Sequence, residues 1–373
     1  MVNKERLVNS FIKMVETDSV SFKEGKIRDL IKSEFAIRGL EAEEDNAGEI
    51  LNGEAGNLLV RIPGTIDSDP LLFSAHMDTV EPGKNIKAVV TDDDFIRSKG
   101  DTILGSDDKA AIAAILEAYD IIRENELLHP PLEFLFTISE EQGLQGAKVF
   151  DFKKLRSKIG YTLDAGGNPG TIIVQSPCQN EIEYIAYGKA AHAGMNPEDG
   201  VNAIKLAAHA MSIMPCGRID NDTTCNFGII KGGKARNIVA DICKIKGEVR
   251  SLKQRKLDEL TDKLVFMFKN KVAQQGGRGE VITQFLYPAI KLDPDEEVIR
   301  LAVKAAEEIG ITPNLVSTGG GSDASIINGN GIRCANLGIG MRDVHTTNEH
   351  ISIADLVNDV RLVLAIIKKA CNE

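Results

Sequence analysis

The sequence predicts a two-domain α/β protein, in which a mixed-sheet domain carries an inserted ferredoxin-like α+β domain. Three observations lead to this fold class. The chain has 373 residues, which is more than one hydrophobic core usually serves. Residues 1–175 alternate strand-like apolar runs with helical patterns, as βαβ units around a mixed sheet do. From 178 to 288 the order becomes strand, helix, strand, strand, helix, strand, which suggests two split βαβ halves.

The first domain begins with a polar-flanked amphipathic helix and continues with short apolar strands. Residues 106–125 have the spacing of a strong amphipathic helix, with Ser106 as a plausible N-cap and acidic residues in the first turn, where the helix dipole favours them. The expected strands flank this helix in two pairs, at 56–64, 70–78, 132–139 and 158–165.

The insertion sets the domain boundaries. We expect the first domain to comprise 1–177 and 289–373, and the inserted domain to comprise 178–288. The first domain then resumes with two helices, a glycine-rich turn and one strand. In chain order these are a helix at 294–309, the turn at 317–325, a strand near 332–338 and a closing helix at 353–370.

Charge and composition exclude several classes of function. The formal net charge is -11, which argues against a nucleic-acid or anionic-membrane partner, because both need a basic surface. No apolar run has the length of a membrane span, and the first residues lack the pattern of a signal peptide. Six scattered cysteines without a close pair indicate reduced thiols. We therefore expect a cytoplasmic protein.

Residues that can bind metals fall at the ends of the expected strands or at a helix start. That is the edge where open α/β sheets place their sites. Taken singly, an acidic pair can be a solvated helix start and a lone histidine can be structural, but seven convergent groups favour a site. The seven are His76, Asp78, Asp107, Glu140, Glu141, Asp164 and His345.

Carboxylates and imidazoles without cysteine indicate a hard or borderline divalent cation, with zinc, cobalt and manganese as candidates. Several clustered carboxylates would repel one another unless cations neutralised them. If Asp107 bridges, one cation could take His76 and Asp164 and another Glu141 and His345, about 3.5–4 Å apart, as in two-metal hydrolases.

Two acidic residues next to the ligands could act without binding metal. Glu140 could take a proton from an activated water and pass it to a leaving amine, as a general base does. Asp78 could accept the second ring N–H of His76 and fix the tautomer of that imidazole. Both are therefore candidate catalytic residues.

Seven motifs in the same order resemble one known family, the co-catalytic zinc metallopeptidases that include peptidase T, carboxypeptidase G and the aminoacylases. The resemblance covers nearly the whole chain and is strongest to peptidase T, a tripeptide aminopeptidase. The motifs are AHMDTV (75–80), GSDDKAAIA (105–113), SEEQGLQGA (139–147), LDAGG (163–167), GKAAHAGMNPEDGVNAI (188–204), TGGGSDAS (318–325) and VHTTNEHISI (344–353).

The resemblance implies two zinc ions on the ligand pairs given above, with Asp107 bridging, Glu140 as general base and Asp78 as orienting acid. It also implies a catalytic domain that binds the metals and an inserted lid domain through which two subunits form a homodimer. The lid insertion makes closure on a small peptide substrate plausible, with hinges near 176–179 and 287–291.

Five further residues are candidates for substrate binding. By resemblance, His192 would polarise the scissile carbonyl and Arg250 would bind a substrate carboxylate through its guanidinium fork. Asn237 is a candidate lid contact. In the glycine-rich run, Gly321 and Ser322 could approach the substrate closely, since glycine leaves the backbone bare.

Two alternatives to a tripeptide aminopeptidase remain open on the sequence. An amidohydrolase that removes the acyl group from N-acyl amino acids would use the same metals. A non-catalytic metal-binding scaffold would have lost its activity, but every ligand position and the base are intact.

Overall fold

Helices and strands are interspersed through the first 176 residues of the computed structural model, which describes residues 1–371 of the chain. The helices are α1 (Lys4–Val15), α2 (Gly25–Ile37), α3 (Ala47–Leu51), α4 (Ser106–Glu124) and α5 (Gln145–Val149). The strands are β1 (Ala42–Glu44), β2 (Leu58–Ile62), β3 (Leu71–His76), β4 (Ala88–Val90), β5 (Phe95–Ser98), β6 (Leu132–Thr137), β7 (Ile159–Ala165) and β8 (Thr171–Ser176).

The remaining elements include one long helix in the middle of the chain and a long closing helix. The helices are α6 (Ala203–Met211), α7 (Gln254–Gln274), α8 (Glu297–Glu308), α9 (Asp323–Gly329) and α10 (Ile353–Ala370). The strands are β9 (Cys178–Tyr187), β10 (Gly217–Arg218), β11 (Thr223–Gly232), β12 (Ile242–Ser251), β13 (Arg278–Tyr287), β14 (Ile290–Lys291), β15 (Asn314–Ser317), β16 (Arg333–Gly338) and β17 (His350–Ser352).

The chain divides into two structural units. Unit 1 comprises 1–175, 291–318 and 322–373, and unit 2 comprises 176–290 together with 319–321. The short segment 319–321, from the glycine-rich run, is thus assigned to unit 2 although its neighbours on both sides belong to unit 1.

Unit 1 is built on a nine-stranded mixed sheet in the order β1-β2-β6-β3-β7-β16-β8-β14, with β15 paired to β8. The four central strands β6, β3, β7 and β16 are parallel to one another. Both faces of such a sheet are covered, and β3 and β6 are accordingly buried at every position. The carboxyl ends of these central strands therefore meet at one edge of the sheet.

Unit 2 has a five-stranded antiparallel sheet in the order β10-β11-β12-β9-β13. Without the two-residue β10, the chain order is β9, α6, β11, β12, α7, β13, and the spatial order is that of a split βαβ sandwich. Helices α6 and α7 bury their apolar faces against this sheet, around Tyr184 and Phe268. The predicted fold class, a mixed-sheet domain with a ferredoxin-like insertion, is confirmed.

The helix α4 begins at the predicted residue, but the predicted N-cap role of Ser106 is wrong. Ser106 is not an N-cap: Gly105 occupies that position in a left-handed conformation and has no side chain that could cap the helix. Asp107 and Asp108 have non-helical backbone angles, so the first turn is distorted where it carries these carboxylates. The hydroxyl of Ser106 instead donates to Glu349.

All six cysteines are free thiols. Among residues 1–371, no helix combines the length and the apolar character that crossing a membrane requires.

Candidate metal centre

The parallel strands of unit 1 bring the expected ligands to one edge of the sheet. His76 is the last residue of β3 and lies in register with Thr137, the last residue of β6. Glu141 follows β6 in a short 3-10 turn, and Asp164 is near the end of β7. Residues far apart in the sequence therefore converge because their strands are neighbours.

Asp107 lies between two imidazoles. Its Oδ1 is 2.9 Å from Nε2 of His76, and its Oδ2 is 3.2 Å from Nε2 of His345. Each oxygen of this one carboxylate thus faces a different histidine. That is the arrangement a bridging carboxylate needs to contact two cations.

Each histidine also faces a second carboxylate. Nε2 of His76 is 3.7 Å from Oδ1 of Asp164, and Nε2 of His345 is 2.8 Å from Oε1 of Glu141. The five donors therefore fall into two sets that share Asp107. His345 has a left-handed backbone, with φ of 64°, and its side chain is half exposed, so this end of the cluster is open to solvent.

The carboxylates and imidazoles of the cluster shift one another's pKa values. Burial raises the pKa of Asp164 to about 7, although the hydrogen bond with His76 opposes the shift. Hydrogen bonds with Asp107 and Glu141 raise the pKa of His345 to about 10. Burial disfavours the charge of Asp107, but the bonds with both imidazoles outweigh it and lower its pKa. Without cations, these groups must hold protons to coexist.

The donor chemistry fits divalent cations. Two groups of residues each bring their donor atoms within 4.8 Å of one another. One group is formed by His76, Asp107 and Glu141, and the other by His76, Asp108 and Asp164. Oδ1 of Asp108 is buried and has no hydrogen-bond partner among the described residues. Imidazole and carboxylate donors without thiolate are typical of zinc, cobalt or manganese sites.

Asp78 contacts more of the site than the sequence suggests. Nδ1 of His76 is 3.0 Å from the backbone oxygen of Asp78 and 3.4 Å from its carboxylate. That carboxylate also accepts hydrogen bonds from the backbone N–H groups of Glu140 and Glu141, at 2.9 and 3.2 Å. Asp78 therefore connects His76 to the turn that carries both glutamates. Ser21, which the sequence did not single out, donates to the same carboxylate at 2.7 Å.

Glu140 is next to Glu141 but makes different contacts. Burial raises its pKa well above the ordinary value, and the charge of Asp164 raises it further. Its carboxylate accepts no hydrogen bond from another residue in the 1–371 range. Glu140 is thus a carboxylate next to the candidate ligand Glu141 whose position is not fixed by a hydrogen bond from those residues.

A polar chain links the glycine-rich run to Asp164. Nδ2 of Asn336 donates to Oγ of Ser322 at 3.0 Å, and Oδ1 of Asn336 accepts the backbone N–H of Asp164 at 3.0 Å. Ser322 is thereby tied to the ligand-bearing end of β7. No sequence pattern indicated Asn336, since it lies inside an apolar strand.

In unit 2, His192 is exposed, and its loop fixes the ring. Nδ1 lies 3.2 and 3.1 Å from the backbone N–H groups of Gly194 and Met195 and accepts from both. Nε2 therefore carries the proton of the neutral ring and presents a donor. Asn237 is next to this loop, because its backbone oxygen accepts the N–H of Ala193.

Arg250, also in unit 2, is held by neighbouring polar groups. Its Nε and Nη2 contact the two carboxylate oxygens of Glu248 at 2.9 and 3.0 Å, and Nη1 donates to the backbone oxygen of Gly319 at 3.2 Å. At Gly321 a Cβ atom would lie 2.3 Å from the ring of Tyr287. Only glycine allows this approach.

The chain is similar to known proteins over most of its length. The sequence profile described as Peptidase family M20/M25/M40 matches residues 72–369. The uncharacterized protein YqjE of Bacillus subtilis (strain 168) is 41% identical over 370 residues, which cover 99% of this chain and 100% of that protein.

Two solved structures are similar over nearly the full length. The aminopeptidase PepT from Bacillus cereus ATCC 10987 has a TM-score of 0.92 and 42% identity, with 99% of each chain covered. A tripeptidase from Staphylococcus aureus subsp. aureus mu50 has a TM-score of 0.96 and 39% identity, with 100% of each chain covered.

Proposed function

The chain belongs to Peptidase family M20/M25/M40, and on that premise we propose that it is an aminopeptidase that cleaves tripeptides with the help of two divalent cations. The family resemblance seen in the sequence motifs is confirmed. The aminopeptidase and the tripeptidase among the similar structures support the choice of substrate. We therefore propose a peptide as the substrate rather than an N-acyl amino acid.

One observation carries the proposal: the carboxylate of Asp107 faces His76 with one oxygen and His345 with the other. We propose that His76 and Asp164 hold one cation, that Glu141 and His345 hold the other, and that Asp107 bridges them. Zinc is the cation we propose first, with cobalt and manganese as substitutes. Bound there, the cations would polarise the scissile carbonyl and acidify an attacking water.

Glu140 is the proposed general base. One of its Oε atoms takes the proton of the attacking water and passes it to the nitrogen of the leaving amine. The contacts of Asp78 with the backbone N–H groups of Glu140 and Glu141 support this division of labour. They hold the base and its ligand neighbour in one turn, and Asp78 also orients His76.

Unit 2 supplies the proposed substrate contacts. The Nε2–H of His192 donates to the oxygen of the scissile carbonyl as negative charge develops there. Arg250 binds the terminal carboxylate of the peptide. Because Glu248 occupies two of its nitrogens, Nη1 is the atom that exchanges the backbone oxygen of Gly319 for the substrate. Asn237 and Gly321 of unit 2 are proposed to contact the substrate as well, and Ser322 of unit 1 is a further proposed contact.

We further propose that unit 2 is both a lid and the interface of a homodimer. Several isoleucines on its strands are about half exposed, among them Ile229, Ile230 and Ile282. Apolar side chains in such number on one small sheet are typical of association surfaces. The free thiols support a reducing compartment, and we propose the cytoplasm.

The substrate claim is tested with purified protein and a matched panel of compounds. We expect rapid hydrolysis of tripeptides with a free amine and a free carboxylate, and weak hydrolysis of their amidated forms because Arg250 then loses its ion pair. N-acetyl and N-carbamoyl amino acids serve as the contrast. Turnover of these compounds without turnover of any tripeptide would refute the proposed function.

A further inference from the structure

We propose that Glu349 is a positioning residue that joins the start of α4, which carries Asp107, to the loop that carries His345, and thereby sets the geometry of the metal centre. The proposal deepens the proposed function and rests on it for the identity of the ligands. Glu349 was not among the residues that the sequence motifs indicated as functional. It is 2% exposed.

The carboxylate of Glu349 accepts four hydrogen bonds from four consecutive residues at the start of α4, two just before the helix and two in its first turn. Oε2 accepts the backbone N–H groups of Leu104 and Gly105 at 2.9 and 2.8 Å. Oε1 accepts the hydroxyl of Ser106 at 2.6 Å and the backbone N–H of Asp107 at 3.1 Å. Both oxygens are thus fully used, and the last bond reaches the bridging ligand itself.

The same glutamate lies at the base of the loop that carries His345. Backbone hydrogen bonds in both directions between Arg342 and His350, each 3.0 Å, close this loop. The N–H of Glu349 also donates to the backbone oxygen of Thr346 at 3.1 Å. His345 is therefore held on a closed loop. Glu349, at the base of this loop, connects it to the start of α4, where Asp107 lies.

The bonds of Glu349 are of a kind that resists displacement. Hydrogen bonds to an ionised acceptor are roughly twice as strong as neutral ones. The positive charge of the buried Lys109 also attracts this carboxylate. A shift of Glu349 would move Asp107 relative to His345. Since the two side chains are 3.2 Å apart, even a small shift changes how both could share a cation.

Glu133 provides a matched control in the same unit. It is 3% exposed, and its carboxylate likewise accepts backbone N–H groups, from Arg156 and Ser157, and the hydroxyl of Ser157. It lies four residues before Thr137 on β6, about 13 Å from the metal edge at roughly 3.3 Å per residue. Loss of the Glu133 carboxylate should lower stability without changing the positions of the proposed metal ligands.

The test compares metal-free wild type, Glu349→Gln, Ser106→Ala and Glu133→Gln by titration with Zn²⁺ and by the visible spectrum with Co²⁺ bound. Changing a residue that orients a ligand lowers metal affinity about 10–100-fold. We expect that loss and an altered Co²⁺ spectrum for Glu349→Gln, together with a lower kcat and a KM that stays close to wild type. Glu133→Gln should lower the unfolding temperature only.

Ser106→Ala removes one of the four bonds and tests the proposal even if Glu349→Gln does not fold. We expect its metal affinity to lie between those of wild type and Glu349→Gln. Wild-type metal affinity and spectrum in the Glu349 and Ser106 variants, or an equal loss in Glu133→Gln, would overturn the proposal. Wild type that binds metal but cleaves no peptide would refute only the proposed function, and wild type that binds no metal would overturn both.

Discussion

Glu140 and Glu141 are neighbours in one turn, yet only Glu141 contacts a histidine, at 2.8 Å from His345. We expect Glu140→Gln to keep the metals and to lower kcat by about 10²–10⁴-fold, because general base catalysis contributes that much. Metal content and steady-state kinetics of the variant check this. An unchanged kcat would remove Glu140 as the base.

At this scale the sequence indicates the ligand candidates but not the residues that hold them. His76, Glu141 and Asp164 follow strand patterns, so their convergence is expected from the parallel sheet. Glu349 and Asn336 act through hydrogen bonds to residues 242 and 172 positions away in the sequence. No local pattern encodes such partners.

The closing helix α10 contains a buried carboxylate, Asp359, that has no hydrogen-bond partner among the residues the structure describes. Asp359 is 1% exposed, and neither of its oxygens has a hydrogen-bond partner within residues 1–371. Burial raises its pKa well above the ordinary value, and the charge of Asp355 adds to the shift. The folded state therefore binds the proton more tightly than the unfolded state, so stability falls as pH rises from the unfolded value towards the folded one.

Replacing this carboxylate should stabilise the protein at neutral pH. We expect Asp359→Asn to raise the free energy of unfolding by about 1–3 kcal/mol at pH 8, since Asn is neutral without holding a proton and a pKa raised by one unit is worth about 1.4 kcal/mol, and by less at pH 5. Urea unfolding at both pH values measures the difference, and Glu307→Gln on the exposed face of α8 is the control. A gain in unfolding free energy that is equal at both pH values would contradict the raised pKa of Asp359.

The elements themselves were largely predictable, and their distortions were not. The strands that end at His76 and Thr137 stop two residues before the ends expected from the apolar runs, and they were predictable because periodicity and burial act locally. The start of α4 departs from a regular helix, since Ser106 bonds to Glu349 rather than capping the first turn. A tertiary contact thus overrides the local N-cap preference.

At the scale of the whole molecule, the order of elements along the chain was enough to predict the inserted ferredoxin-like unit, because six elements in a fixed order leave few topologies. Its proposed role in association is testable by sedimentation. We expect wild type to sediment at twice the chain mass, and Ile282→Asp to favour the single chain because it buries a charge in the interface. A monomeric wild type would contradict the dimer.

The central claim, that two cations held around Asp107 are needed for peptide hydrolysis, is tested most directly by metal titration. Chelation should abolish tripeptide cleavage, and Zn²⁺ or Co²⁺ should restore it as two equivalents bind per chain, because the reaction depends on the cations. Full tripeptide cleavage by protein verified to contain no metal would contradict the account.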